Sequence, residues 1–283
     1  MYQKCKNLFF GTDVKEMFKL KKITTIFIIL SLMSIGLFTS PSTGNINAEI
    51  FSENFNLFTG SGFAPTPSVG QLDSDLWVIT GMSDGDSTFG GTHTSGDFAR
   101  GISSGGTSTG GTYAFNVGSS DYILGVQPAG SDFTPGEIKL KIVNIQGYTL
   151  TGVTVDFDFC VINNEDRANS FVLGYSEDDT SYTDTSVSFT TPEAKDASPT
   201  WSCTSATQAL ITGINVANGN PLYLRWSSDD VSGSLNRDEF GINNLVVDDA
   251  PTTPEFSNGF LIIIPCVIFI GILVREKQKR KNF

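Results

Sequence analysis

The sequence predicts an all-β protein: an antiparallel β-sandwich of jelly-roll type, flanked by an N-terminal signal helix and a C-terminal transmembrane helix. Three observations lead there. Residues 49–250 are rich in Gly, Ser, Thr, Asp and Phe and poor in Lys, Leu and Ala, a composition that favours strands and turns over helices. Short apolar–polar alternations recur between turn signals along the same stretch. Two apolar runs, 23–38 and 259–274, lie outside it, each beside a basic cluster.

Residues 1–48 form an N-terminal extension and signal peptide. Lys19, Lys21 and Lys22 precede the apolar run ITTIFIILSLMSIGLF, and a polar, small-residue stretch follows to Ala48. That is the charged, apolar and small-residue order of a secretory signal. The run spans about 24 Å as a helix, short of a hydrocarbon core of about 30 Å. An uncleaved N-terminal anchor is the alternative, and the start is Met1 or Met17.

Residues 49–250 are the displayed domain, large enough for one β core. Its best strand has Val153, Val155, Phe157, Phe159 and Val161 on one side and Thr154, Asp156, Asp158 and Cys160 on the other. One buried and one wet face argue for an antiparallel sheet. Further strands are expected at 76–80, 112–117, 138–145, 171–176, 185–190, 208–212, 222–226 and 242–247, with a first strand carrying Glu49 and Glu53. Turn signals such as Asp84-Gly85, Thr134-Pro135-Gly136 and Asn218-Gly219-Asn220 separate them. The low-complexity segment 101–111, GISSGGTSTGG, reads as a mobile loop.

The C-terminus has three parts: a linker at 251–258 carrying Pro254, Glu255 and Phe256, the apolar segment 259–274 with Pro265 at its middle, and the basic tail 275–283. The positive-inside bias keeps that tail cytoplasmic and the acidic domain outside, so the expected setting is the cell surface, membrane-anchored. A Pro-Glu-containing motif, a hydrophobic helix and a basic terminus together resemble the PEP-CTERM type of sorting signal, read by exosortases. The Pro-Glu-Phe version resembles the PEF-CTERM signal linked to archaeosortases. The resemblance covers about the last 30 residues. It implies cleavage near the motif by a sortase-like processing enzyme; a permanent single-span helix is the alternative. Membrane and export machinery are partners in either case.

A second resemblance rests on Asp166-Arg167-Ala168-Asn169-Ser170-Phe171, Leu222-Tyr223-Leu224-Arg225-Trp226, Ser232-Gly233-Ser234 and Arg237-Asp238-Glu239-Phe240-Gly241-Ile242-Asn243-Asn244. In that order they are similar to β-sandwich modules of prokaryotic surface proteins. This implies an extracellular module and no particular chemistry.

Charge excludes one class of partner. Residues 49–250 hold 7 Lys/Arg and 26 Asp/Glu, so 7 − 26 = −19, and such a domain repels phosphate backbones; nucleic acid is not a partner. The acidity serves solubility or a divalent cation. Calcium takes six to eight oxygen ligands, and a jelly roll brings its first and last strands together. The calcium expectation therefore names Glu49, Glu53, Asp229, Asp230, Asp238, Glu239, Asp248 and Asp249. No other cofactor is expected.

The remaining chemistry argues against an enzyme. A Ser-His-Asp triad would have to use the single histidine, His93, which lies in a Gly/Thr loop with no nucleophile elbow nearby. Asp156 and Asp158 share a strand face about 7 Å apart, as solvated groups would. Cys160 and Cys203 are the only cysteines between 49 and 250, and an exported domain permits one disulfide between them. Trp201, in an irregular stretch, is the tryptophan placed to stack on a ligand; Trp77 and Trp226 read as core. The expected function is that of a non-catalytic, surface-displayed protein of the cell envelope, matrix or adhesion. The alternative is a carbohydrate-binding module at the cell surface, with surface polysaccharide as partner.

Overall fold

The structure, a computed structural model, describes residues 48–250. The signal run, Pro254-Glu255-Phe256, the apolar segment and the basic tail lie outside the described residues. Among the described residues no helix is long and apolar enough to cross a membrane.

The chain builds β1 (Glu49–Glu53), β2 (Phe63–Ala64), β3 (Leu72–Asp73), β4 (Trp77–Thr80), a short 3-10 turn at Gly96–Phe98, then β5 (Ile102–Ser103), β6 (Gly111–Gly118), β7 (Asp121–Gln127) and β8 (Gly136–Val143). It continues with β9 (Leu150–Ile162), β10 (Arg167–Ser176), β11 (Thr183–Thr190), β12 (Trp201–Val216), β13 (Pro221–Ser228), β14 (Asp230–Gly233) and β15 (Glu239–Asp249). One sheet has seven strands in the order β12-β9-β15-β7-β6-β5, with β1 also paired to β15; the other has six in the order β11-β10-β13-β8-β4, with β14 also paired to β10. Pairing within these sheets is antiparallel except for β5 with β6. The chain changes sheet at β4–β5, β7–β8, β8–β9, β9–β10, β11–β12, β12–β13 and β14–β15, so neither sheet forms without the other.

Alternation decides which face is buried. β8 and β13 alternate without a break between buried and partly exposed over most of their length, with Ile138, Leu140, Ile142, Leu222, Leu224 and Trp226 turned inward. β9 contributes Val153, Val155, Phe157 and Phe159 from the opposite sheet. Aromatic rings lock the layers: Phe157 meets Trp226 edge-on at 5.5 Å, and Phe159 lies 4.9 Å from Phe171. Such contacts add to the burial of large apolar side chains, the main favourable term in folding. The described residues thus form an all-β sandwich around a single main core.

Two expectations need correction. Segment 101–111 is not a free loop: Ile102–Ser103 pairs with β6, and the rest lies hydrogen-bonded across the outer face of the seven-stranded sheet. β7 was not expected as a strand because it does not alternate; five consecutive residues from Ile123 to Gln127 are buried. The rings of Tyr113 and Phe115 lie over its outer face, so both faces are dry.

Candidate functional site

The outer face of the six-stranded sheet gathers side chains that neither solvent nor the core explains. In β8 the outward residues are Glu137, Lys139 and Lys141; in β13 they are Tyr223, Arg225 and Ser227. Register puts Tyr223 beside Lys141 and Arg225 beside Lys139. Side chains directly opposed on one face of an antiparallel pair lie within contact distance, so the two strands present a ladder of alternating aromatic and charged groups.

Two aromatic clusters frame the ladder. Phe89, from the loop after β4, packs its ring 5.8 Å from that of Tyr223, with Lys141 Nζ 5.6 Å from the Phe89 centroid. Tyr182 lies 4.3 Å from the Arg225 guanidinium carbon and 5.4 Å from Lys139 Nζ. The turn that delivers Tyr182 is held by Asp178, whose Oδ1 accepts from the amides of Thr180 and Ser181 and from Ser176 Oγ. Those bonds hold the Asp178 carboxyl well below the usual carboxylate range. The Tyr182 hydroxyl donates to Asp179 Oδ1, and burial, then that bond, raise its pKa.

Arg225 is the hub. Its Nη1 donates to Glu137 Oε1 at 3.2 Å and its Nη2 to Asp184 Oδ1 at 2.8 Å. Lys139 Nζ donates to Asp179 Oδ1 at 3.1 Å and sits 3.6 Å from Glu137 Oε2. Gly174, opposite Arg225, makes room for this: a Cβ there would come 2.9 Å from Asp184 Oδ1. Three of the seven basic residues of 49–250 thus share one face with three carboxylates, so it is close to charge-balanced on an otherwise strongly acidic domain. The face offers ring surfaces for stacking, and donors and acceptors in fixed positions for hydroxyl groups.

The residues expected from the sequence fall elsewhere. The eight carboxylates of the calcium expectation do not converge. β1 pairs with the far end of β15, setting Glu49 opposite Asp248, while Glu239 begins β15, nine residues or roughly 30 Å away along the strand. Seven of the eight also have local partners among the described residues. Glu53 Oε1 accepts the Phe55 amide, Asp249 Oδ2 accepts the Tyr148 hydroxyl, and Asp230 takes both Arg167 and Arg237. Asp229 Oδ1 accepts the Asp230 amide. Among the described residues no group of three or more His, Cys, Asp and Glu side chains is placed to hold a metal ion.

Asp238 and Glu239 are fully buried. Asp238 Oδ1 accepts the amides of Asn164 and Glu165, and burial pushes its pKa up to about 7. Glu239 accepts from Thr107 N and Asn164 Nδ2, and burial raises its pKa too. Cys160 and Cys203 are joined by a disulfide between the paired strands β9 and β12. Trp201 is not on an irregular stretch: it opens β12, is partly buried, and packs 5.1 Å from Phe115. His93 is also tied into the fold. Its Nε2 accepts the Thr88 amide and its ring lies 5.1 Å from Phe98, and burial lowers its pKa.

No protein-family model matches the chain, and no curated protein matches it. Solved structures give remote likenesses. The CBM22-1 xylan-binding domain from Paenibacillus barcinonensis Xyn10C is 10% identical over 71% of this chain and 94% of that one, with a TM-score of 0.35. The K3 cleaved adhesin domain of Lys-gingipain from Porphyromonas gingivalis is 12% identical over 71% and 99%, at 0.33. The N-terminal cellulose-binding domain of Cellulomonas fimi β-1,4-glucanase C is 14% identical over 62% and 90%, at 0.28. At these scores and identities the likeness assigns neither a family nor a ligand.

Proposed function

We propose that the domain is a non-catalytic module that binds a neutral polysaccharide at the cell surface through the outer face of the six-stranded sheet. The observation that carries this is the pairing of partly exposed rings with a charge-balanced hydrogen-bonding ladder: Phe89 and Tyr223 at one end, Tyr182 over Arg225 at the other. Sugar rings offer C–H faces to aromatic side chains and hydroxyls to fixed polar groups, the combination that small-ligand sites in general use. Balanced charge favours a neutral polymer, since an anionic one would meet the domain's net negative field. Each carboxylate on the face is already engaged by a cation or a phenol, which suits recognition rather than acid–base chemistry.

The setting supports the same reading. A signal sequence, a Pro-Glu-Phe motif, an apolar segment and a basic tail would export the domain and hold it near the membrane, where a wall or matrix polymer is within reach. The test is affinity electrophoresis against a panel of soluble neutral polysaccharides. Retardation by at least one, weakened in Tyr223→Ala and Arg225→Ala, is expected; no retardation by any would overturn the proposal.

A further inference from the structure

The outer face of the seven-stranded sheet carries a second aromatic row, and it is covered. Tyr113 and Phe115 of β6 stack at 5.0 Å, and Trp201 of β12 closes on Phe115 at 5.1 Å although β7, β15 and β9 lie between those strands. The rings reach each other because the intervening sheet is bare. Gly125 of β7 and Gly241 of β15 are register partners, and a Cβ on Gly125 would come 2.4 Å from Phe115 Cδ2. Phe115 therefore lies flat on backbone. Ile123 and the buried Cys160 complete the platform.

The cover is residues 103–110, composed of Ser, Gly and Thr alone. It contributes no large apolar side chain and is held by hydrogen bonds at its edges. Trp201 Nε1 donates to Ser104 O at 2.9 Å, Tyr113 Oη to Thr109 O at 2.8 Å, and Arg100 Nε to Gly110 O at 2.8 Å. At its middle the Thr107 amide donates to Glu239 Oε1 at 2.6 Å. A segment with few apolar contacts belongs to the low-stability end of a fold. The groups it satisfies are an indole N–H, a phenol and a carboxylate around stacked rings, and hydroxyls can satisfy them equally.

We propose that residues 103–110 are a displaceable cover and that the Tyr113–Phe115–Trp201 row beneath is a second stacking site for a neutral pyranose. Glu239 is the latch: it holds the cover when closed and accepts sugar hydroxyls when open. This site shares no residue with the face of the six-stranded sheet, so each can fail alone.

The experiment is hydrogen exchange by mass spectrometry on the full chain in detergent, with oxidative footprinting of Trp201. Wild type, Thr107→Pro and Glu239→Gln are compared, with and without cellohexaose, xylohexaose, mannohexaose and laminarihexaose. Thr107→Pro removes the latch donor at a loop position, and guards against Glu239→Gln failing to fold. Amides of the cover should exchange at least about tenfold faster than those of β7, and about tenfold faster again in Thr107→Pro. Trp201 oxidation should rise with them, and at least one hexasaccharide should protect Trp201, also in a Tyr223→Ala background. Cover amides as protected as β7, Trp201 oxidation unchanged in Thr107→Pro, or no protection by any hexasaccharide would each overturn the proposal. Trp201 protection that persists when the polysaccharide panel gives no retardation would overturn only the face of the six-stranded sheet.

Discussion

Stability should fall as pH rises from 5 to 8, and Asp238 is the cause. Its side chain is fully buried where β14 leads into β15; Oδ1 accepts two amides, and Oδ2 has no hydrogen-bond partner among the described residues. Burial raises its pKa from 3.8 to about 7. A carboxyl with a raised native pKa keeps its proton in the fold after the unfolded chain has released its own. The penalty is absent below pH 3.8, grows as pH rises from there, and is complete above about 7. A shift of about three units corresponds to at most about 4 kcal/mol. About two of those units lie above pH 5, or about 2.7 kcal/mol, which for a domain of this size is a melting temperature lower by about 5–10 °C at pH 8 than at pH 5. Glu239, with its pKa raised by burial, acts in the same direction. His93, with its pKa lowered, opposes both below pH 6.5. Asp238→Asn keeps the shape and cannot ionise, so calorimetry of the variant should show a flatter profile and a higher melting temperature than wild type at pH 8. A wild-type profile that is level or rises from pH 5 to 8, or one unchanged by Asp238→Asn, would refute the reasoning.

Further outcomes follow from the same structure. Replacing Cys160 and Cys203 by Ala removes a cross-link that closes 43 residues, a loss of about 4 kcal/mol in the chain-entropy model, to be read from urea denaturation. Gly125→Ala forces the Phe115 ring off the sheet; overpacking of that kind costs about 1–3 kcal/mol, and Trp201 fluorescence should change with it. Protease added to intact cells should remove residues 49–250, and a protected domain would contradict the proposed surface display. Changing Lys277, Lys279, Arg280 and Lys281 to Gln should reduce surface retention, followed by cell fractionation.

Strands with one wet face were legible. Residues 155–159 alternate in β9 as they do in the sequence, although Thr154 and Cys160 on the expected wet face are buried, and the expected 222–226 lies within β13 (Pro221–Ser228). Where both faces are dry the period vanishes: β7 reads YILGV because its outer side lies under the Tyr113–Phe115 cluster of β6. The opening of β12 was missed for a related reason. Trp201 and Cys203 point to a small outer cluster that only the paired β9 reveals. The acidic residues of the calcium expectation were grouped by nearness in sequence and by the meeting of the first and last strands, and that meeting does occur at Glu49 and Asp248. What the sequence does not display is the length of β15, which carries Asp238 and Glu239 to the other end. The proposed binding face leaves only a faint signal in the sequence. In a stretch with 7 basic residues, the alternations IKLKI and LYLRW place three of them outward on two strands. That β8 and β13 are neighbours, and that Phe89 and Tyr182 fold over them from turns, are long-range facts of packing.

On the proposed reading, aromatic and charge-balanced side chains on the six-stranded sheet bind a neutral polysaccharide. Isothermal titration of the retained polysaccharide tests it most directly, with wild type, Tyr223→Ala and Arg225→Ala compared at low and high salt. Loss of one such anchor should weaken binding by about tenfold or more, as truncation of central aromatic and Arg contacts does. Affinity for an uncharged polymer should change little between about 50 mM and 500 mM salt, since screening acts on charge–charge attraction. Undiminished binding by both variants, or an affinity that collapses with salt, would contradict the account.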